Sequence, residues 1–333
     1  MRSGLREAVR AAVRDLADAG IDSAEVDAVA IAAHVLKTTT SDVHKLMIIG
    51  APAPVGFDDL FDDLVAERAR RVPLQHLTGK AGFRRLELSV GPGVFVPRPE
   101  TEFVAGLAIS HLLGKPRDRA AEPGANPGTV HNTVPGFGVV GPTPSLGLGG
   151  LGGLGGRGRQ VAVVVDLCTG SGAIALAIKD EVPAAEVHGV ELSDLAHAWA
   201  IRNRDDLGLD VDIRLGDATL AFPDLEAGVD VVVSNPPYIP VGAVPNDPEV
   251  RDHDPEVALY GGSADGLRIP LQVAARAAVL LRPGGFFVME HADVQGNSLP
   301  EALRTTGSWQ DIQDYADLNG RPRAITAVRA GSA

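Results

Sequence analysis

From residue 161 onward the sequence alternates short β-branched runs with helical stretches, and this rhythm limits the fold more than any other feature of the chain. Residues 161–167 form a continuous valine-rich run, as expected of a strand covered on both faces. Residues 173–178 open a helix, 187–192 a second strand and 194–206 a second helix. Further strands are expected at 211–215, 229–234 and 286–290, with a long helix at 264–281 stopped by Pro283-Gly284-Gly285. Alternation of this kind predicts an α/β fold, a mostly parallel sheet wrapped by helices.

Upstream the period differs. Val9, Val13 and Leu16 mark one amphipathic helix, and residues 24–36 a second, with Ser23 as its N-cap. In a third, Phe57, Leu60, Phe61, Leu64 and Val65 recur at helical spacing among Asp58, Asp59, Asp62, Asp63 and Glu67. These predict a small helical N-terminal domain over residues 1–75. A linker at 76–100 follows. Within it, residues 82–96 alternate apolar and polar (Phe83, Leu86, Leu88, Val90) and meet a Gly91-Pro92-Gly93 turn, which reads as a β-hairpin. The main domain occupies 101–333. It is interrupted at about 115–160 by a Gly/Pro-rich segment with Leu-Gly repeats from Leu146 to Gly156. Such a segment buries too little apolar surface to offset its ordering entropy, so a flexible insertion is expected.

Charge and cysteine usage narrow the class. The formal net charge is −13, and Lys and Arg occur in short pairs such as Arg70-Arg71 and Arg84-Arg85. A duplex-binding protein needs a compensating basic face, so direct nucleic-acid binding is not expected. Cys168 is the single cysteine, which excludes an internal disulfide and a multi-cysteine zinc site; no metal is expected. The N-terminus is charged and amphipathic, and no apolar run has the length of a membrane span. A soluble cytoplasmic protein is the simplest expectation.

Three constellations carry chemistry. Asp166-Leu167-Cys168-Thr169-Gly170-Ser171-Gly172 leaves the first strand and enters the first helix, where glycines let backbone N–H groups approach a ligand. Open α/β sheets bind ligands at this carboxyl edge. Glu191 ends the second strand about twenty residues later, where a carboxylate can accept both hydroxyls of a ribose. Loop and acid together imply an adenosine-containing cofactor, a nicotinamide dinucleotide or S-adenosylmethionine. The glycine spacing lacks the third position of the dinucleotide fingerprint and leans toward the second.

The third constellation decides between them. Asn235-Pro236-Pro237-Tyr238 follows the strand at 229–234. Two prolines fix the backbone and remove two donors. The acceptors left are the Asn235 side-chain oxygen and the Pro236 carbonyl, which match the two in-plane donors of an NH₂ on a flat conjugated group, with Tyr238 stacked on its face. The nitrogen is then aimed at the cationic methylsulfonium of the cofactor. Catalysis by positioning and fixed dipoles suffices, with no strong general base. Adenine, cytosine and a glutamine amide all satisfy the tetrapeptide.

The rest of the chain resembles one family. Arg70-Arg71-Val72-Pro73-Leu74-Gln75-His76-Leu77-Thr78-Gly79 is followed by Gly91-Pro92-Gly93-Val94-Phe95-Val96-Pro97-Arg98-Pro99-Glu100-Thr101-Glu102. Val165-Asp166-Leu167, residues 234–240, His253-Asp254-Pro255-Glu256, Gly261-Gly262 and Leu281-Arg282-Pro283-Gly284-Gly285 continue the match in order. This set is similar to the HemK family, the glutamine methyltransferases of peptide-chain release factors, over nearly the whole chain apart from the insertion. The resemblance implies a class I S-adenosylmethionine-dependent methyltransferase with a Rossmann-like seven-stranded sheet, an antiparallel last strand and a helical substrate-recognition domain. It implies methylation of the glutamine amide nitrogen in the Gly-Gly-Gln motif of class 1 release factors. By position, Cys168, Thr169, Gly170, Ser171, Gly172, Glu191 and Ala218 hold S-adenosylmethionine together with Asn235, while Asn235, Pro236, Pro237 and Tyr238 hold the glutamine.

Two departures stand out: Cys168 replaces the loop's first glycine, and Ala218 stands where some relatives carry an aromatic residue. Cys168 is expected to pack, not to act as a nucleophile. Arg98 and Glu100 have two readings, a loop over the cofactor pocket or an interdomain ion pair. His76, His253 and His291 are expected to be structural. Other readings of the motifs are a ribosomal-protein glutamine methyltransferase, a DNA adenine methyltransferase and a non-enzymatic cofactor-binding scaffold.

Overall fold

A computed structural model describes residues 4–114, 161–317 and 319–331. The expected insertion at 115–160 lies outside the described residues. Five helices come first: α1 (Leu5–Asp18), α2 (Ala24–Leu36), α3 (Thr40–Ile48), α4 (Phe57–Ala69) and α5 (Leu74–Thr78). Their apolar faces close on one cluster that includes Leu5, Val9, Leu16, Ile31, Val43, Phe57, Phe61 and Val65. Phe57 and Phe61, one turn apart, stack with ring centroids 4.8 Å apart. Leu60, expected on this stripe, is instead 51% exposed, because the stripe of α4 is narrower than the sequence pattern. Ser23 occupies the N-cap position of α2, but its hydroxyl donates to Asp27 Oδ1 at 2.8 Å and caps no backbone N–H.

The hairpin is shorter than expected and turns elsewhere. β1 (Lys80–Phe83) and β2 (Leu86–Ser89) pair antiparallel, with Phe83 opposite Leu86 and the turn at Arg84-Arg85. Gly91-Pro92-Gly93 lies beyond β2. The glycines there permit close packing: a Cβ on Gly91 would sit 2.6 Å from the Trp199 ring, and one on Gly93 would sit 2.7 Å from Leu195. Arg84 bonds Glu181 and the Glu102 carbonyl, and Arg85 bonds Asp180 at 2.8 Å, so the hairpin is tied to the main domain.

The main domain contains α6 (Pro99–Leu112), β3 (Val163–Leu167), α7 (Ala173–Glu181), β4 (Glu186–Glu191), α8 (Asp194–Leu207), β5 (Val211–Leu215) and β6 (Val229–Ser234). Then come α9 (Pro248–His253), α10 (Arg268–Leu280), β7 (Leu281–Glu290), α11 (Ser298–Thr305), β8 (Trp309–Ala316) and β9 (Pro322–Arg329). The seven-stranded sheet has the order β5-β4-β3-β6-β7-β9-β8, and β9 runs antiparallel to both neighbours. The expected α/β class and antiparallel last strand are both observed. Every residue of β3 and β6 is buried. Successive side chains point to opposite faces, so Val164, Val231 and Val233 enter one core while Val163, Val165, Leu167 and Val232 enter the other.

α10 begins at Arg268 rather than 264, because Gly266 takes φ 71 and cannot be helical. It ends at Leu280, and Pro283-Gly284-Gly285 falls inside β7, at the irregular pairing opposite Val229 and Val231. No helix among the described residues is long and apolar enough to cross a membrane.

Candidate active site

The chain leaves β3 toward β4 and β5 on one side, then returns to place β6 and β7 on the other. The order therefore reverses between β3 and β6, where an open α/β sheet forms a crevice at its carboxyl edge. The loop after β3 and the tetrapeptide after β6 both open there. A cavity of about 510 Å³ occupies the crevice.

The structure brings together Cys168, Gly170, Glu191, Ala218, Asn235, Pro237 and Tyr238 in the wall of this one cavity. Thr169, Ser171, Gly172 and Pro236 do not line it. Thr169 turns inward, donating through its hydroxyl to Asp166 Oδ2 at 2.6 Å, while its amide donates to the Val190 carbonyl at 2.9 Å. The Ser171 carbonyl accepts from Asn203 Nδ2 at 2.9 Å. Gly172 takes φ 85 to start α7. These three shape the loop and leave its inner surface to Cys168 and Gly170.

Gly170 takes φ 59 and has nothing within 4 Å of where a Cβ would point, so its peptide stands open to a ligand. Its N–H donates to Glu191 Oε2 at 2.8 Å, and the Ser193 N–H donates to Oε1 at 2.9 Å. Each carboxylate oxygen keeps a further lone pair for a hydroxyl donor. Beside Glu191 lie Leu192, Ala218 and Asp217. An adenine ring at this end of the cavity would meet aliphatic walls, since Ala218 offers no ring to stack on.

Cys168 adopts φ 67, a left-handed conformation that a side chain enters at a cost of roughly 1–2 kcal/mol. Burial, helped by the nearby Glu191 and Asp166 charges, pushes its thiol well above the ordinary range, and the side chain packs against the core beneath the sheet edge. A thiol held protonated in this way is a poor nucleophile. Asp166 is fully buried, and burial pushes its carboxyl up to about 7 against the stabilising bonds from Thr169 and the Ala175 N–H.

At the other end, Asn235 Nδ2 donates to Thr101 Oγ1 at 3.1 Å, and Thr101 donates to Glu290 Oε2 at 2.8 Å. The Tyr238 hydroxyl donates to Glu290 Oε1 at 2.9 Å. The Tyr238 carbonyl accepts from Gln295 Nε2 at 3.0 Å, and a Cβ on Gly266 would sit 2.1 Å from that carbonyl oxygen. Thr101, Glu290, Gln295 and Gly266 were not singled out from sequence. They come from four separate segments; Thr101 lies in the signature at 97–102 but with no role attached to it, and Glu290, Gln295 and Gly266 have no local pattern that separates them from ordinary strand or loop residues.

Arg98 satisfies part of each expectation. It lines the cavity, and it pairs at 2.8 Å with the buried Asp254. Glu100 does not line the cavity. Burial pushes the His76 imidazole below its ordinary value, and His291 is fully enclosed with Nδ1 on the Ala292 carbonyl at 2.8 Å; neither lines the cavity.

Comparison with known proteins places the sequence in a family. Residues 7–79 match the family described as PrmC N-terminal domain, and residues 158–245 match the methyltransferase small domain. A release factor glutamine methyltransferase of Streptomyces coelicolor is 44% identical over 97% of both chains. The chain belongs to the release factor glutamine methyltransferase family. A member from Mycolicibacterium smegmatis is 40% identical over 98% of both chains. A 4-amino-L-phenylalanine/4-methylamino-L-phenylalanine methyltransferase of Streptomyces pristinaespiralis is 35% identical over 98% of this chain and 95% of its own.

Proposed function

We propose that this methyltransferase transfers a methyl group from S-adenosylmethionine to the side-chain amide nitrogen of the glutamine in the Gly-Gly-Gln motif of class 1 release factors. The observation that carries the reading is that Glu191 and Asn235, at the tips of β4 and β6, face one cavity. A nucleoside held by Glu191 and an amide held by Asn235 would therefore share one open-mouthed cavity. The names of relatives matched over nearly their full length support the same substrate.

In this reading Cys168 and Gly170 offer the loop surface to the amino-acid end of S-adenosylmethionine, with Thr169, Ser171 and Gly172 holding the loop's shape. Glu191 takes the ribose hydroxyls and Ala218 borders the adenine. Bound there, the cofactor supplies an electrophilic methyl group on a cationic sulfur. Asn235 Oδ1 and the Pro236 carbonyl accept the two amide protons, Pro237 stiffens the backbone, and Tyr238 covers the flat face. An amide nitrogen is a weak nucleophile; holding it in line and opposing its growing positive charge with fixed acceptor dipoles lowers the barrier without a strong base. The nitrogen gives up one of its two protons to water as its bond to the methyl carbon forms and the carbon–sulfur bond breaks, leaving a neutral thioether. Pro236 is buried and does not line the cavity, so among the tetrapeptide residues the cavity wall itself is formed by Asn235, Pro237 and Tyr238.

The test is transfer of a labelled methyl group to a release factor and to its Gln→Ala loop variant. Label in the first alone is expected. Equal labelling of both would sink the assignment. Parallel reactions with a ribosomal protein, duplex DNA and 4-amino-L-phenylalanine separate the other substrates, and label in one of these alone would reassign the enzyme.

A further inference from the structure

β6 and β7 run parallel with Ser234 opposite Met289, so the next residues, Asn235 and Glu290, meet at the sheet edge. Thr101, in the first turn of α6, lies between them. The three hydrogen bonds form a directed chain. Burial pushes the Glu290 carboxyl above its ordinary value, opposed by the bonds from Thr101 and Tyr238 and by the nearby Arg323 charge; in its ionised form it only accepts, and a threonine hydroxyl has a single proton. Thr101 places that proton on Glu290 Oε2 at 2.8 Å, so toward Asn235 it can only accept. The Asn235 NH₂ must then be the group on Thr101, at 3.1 Å, and the opposite end of the planar amide, Oδ1, is left for the cavity. A flipped amide would turn its NH₂ to the ligand and leave Oδ1 against the Thr101 oxygen, acceptor to acceptor.

The same carboxylate fixes the second substrate wall. Tyr238 donates to Glu290 Oε1 at 2.9 Å, which sets the rotation of its ring. Thr101 is 4% and Glu290 2% exposed, so water competes poorly for these bonds.

We propose that Thr101 and Glu290 are positioning residues that set the polarity of the Asn235 amide, so that the site presents an acceptor and selects a substrate that carries an NH₂ group. This rests on the reading of Asn235 as the group that binds the substrate amide. The role extends beyond packing, because it depends on one hydroxyl proton and not on side-chain volume.

The experiment compares wild type, Thr101→Val, Thr101→Ala, Thr101→Ser, Asn235→Ala and the Thr101→Val/Asn235→Ala double variant. Turnover and KM are measured with a release factor, and S-adenosylmethionine affinity by calorimetry. Thr101→Val and Thr101→Ala are expected to lower kcat on the order of 30-fold while the cofactor Kd moves by less than about threefold, and Thr101→Ser, which restores the hydroxyl, to recover most of it. Either of the first two removes the hydroxyl, so misfolding of one leaves the test standing. In the Asn235→Ala background, Thr101→Val is expected to add less than about a threefold loss. Losses that multiply in the double variant, or wild-type kcat in both Thr101→Val and Thr101→Ala, would overturn the proposal. Wild-type kcat in Asn235→Ala alone would overturn the parent reading of Asn235, and the proposal with it.

Discussion

The Gly170 N–H donates to Glu191 Oε2 at 2.8 Å, so the glycine loop and the tip of the neighbouring strand form one wall of the cavity. The carboxylate is held in a single orientation and still has lone pairs to offer. Glu191→Gln keeps the volume and removes the charge. We expect it to weaken S-adenosylmethionine binding by on the order of tenfold, as loss of charge-assisted hydrogen bonds does, with kcat at saturation changed only a few-fold. Calorimetric titration checks this; unchanged affinity would remove Glu191 from the cofactor site.

Cys168 offers a second check. Its thiol is half-buried in the cavity wall and pushed up, so alkylation by iodoacetamide in the folded protein should be on the order of tenfold or more slower than in denatured protein at mildly alkaline pH. Cys168→Ala should keep kcat within a few-fold. At φ 67 a glycine is less strained than any side chain, so Cys168→Gly should be more stable than Cys168→Ala by roughly 1 kcal/mol. The order of the two melting curves decides.

The buried Asp166 predicts a pH dependence of stability. Its carboxyl lies at about 7 in the folded protein, against 3.8 for the ordinary group. Between these values the folded chain keeps a proton that the unfolded chain has released. Its contribution is therefore fully present at low pH and is lost as pH rises toward and through 7, with a slope of up to about 1.4 kcal/mol per pH unit. Urea denaturation of wild type and Asp166→Asn across this window should show wild type losing stability relative to the variant as pH rises. Parallel curves would place the Asp166 carboxyl near its ordinary value.

Arg68 joins the helical region to the segment that follows the tetrapeptide. It bonds Asp27 at 2.7 Å and Glu249 at 2.7 Å, and its side chain is 8% exposed. Removing one member of a buried ion cluster leaves uncompensated charge, so Arg68→Ala should destabilise by about 3–5 kcal/mol. A loss under about 1 kcal/mol in chemical denaturation would show that the cluster is solvated in solution.

What could be read from sequence was what is contiguous along it. The loop 166–172 and the tetrapeptide 235–238 each keep their chemistry within a few residues, and the strand–helix rhythm around them placed both at one sheet edge. Thr101 and Glu290 escaped notice because they reach Asn235 and Tyr238 only across the fold, 134 and 52 residues away in the two bonds that involve the tetrapeptide. Gly91-Pro92-Gly93 was misassigned for a different reason. A glycine signals either a turn or a close approach, and only the presence of Trp199 and Leu195 identifies the second. The start of α10 was similarly hidden, since only the backbone of Gly266 shows why residues 264–267 stay out of the helix.

The most direct test of the account is a fragment mass spectrum of a class 1 release factor after incubation with the enzyme and S-adenosylmethionine. The account predicts one added methyl group, on the side chain of the glutamine in Gly-Gly-Gln, present with wild type and lost with Asn235→Ala. A methyl group on another residue, or an unmodified release factor beside methylated 4-amino-L-phenylalanine, would contradict it.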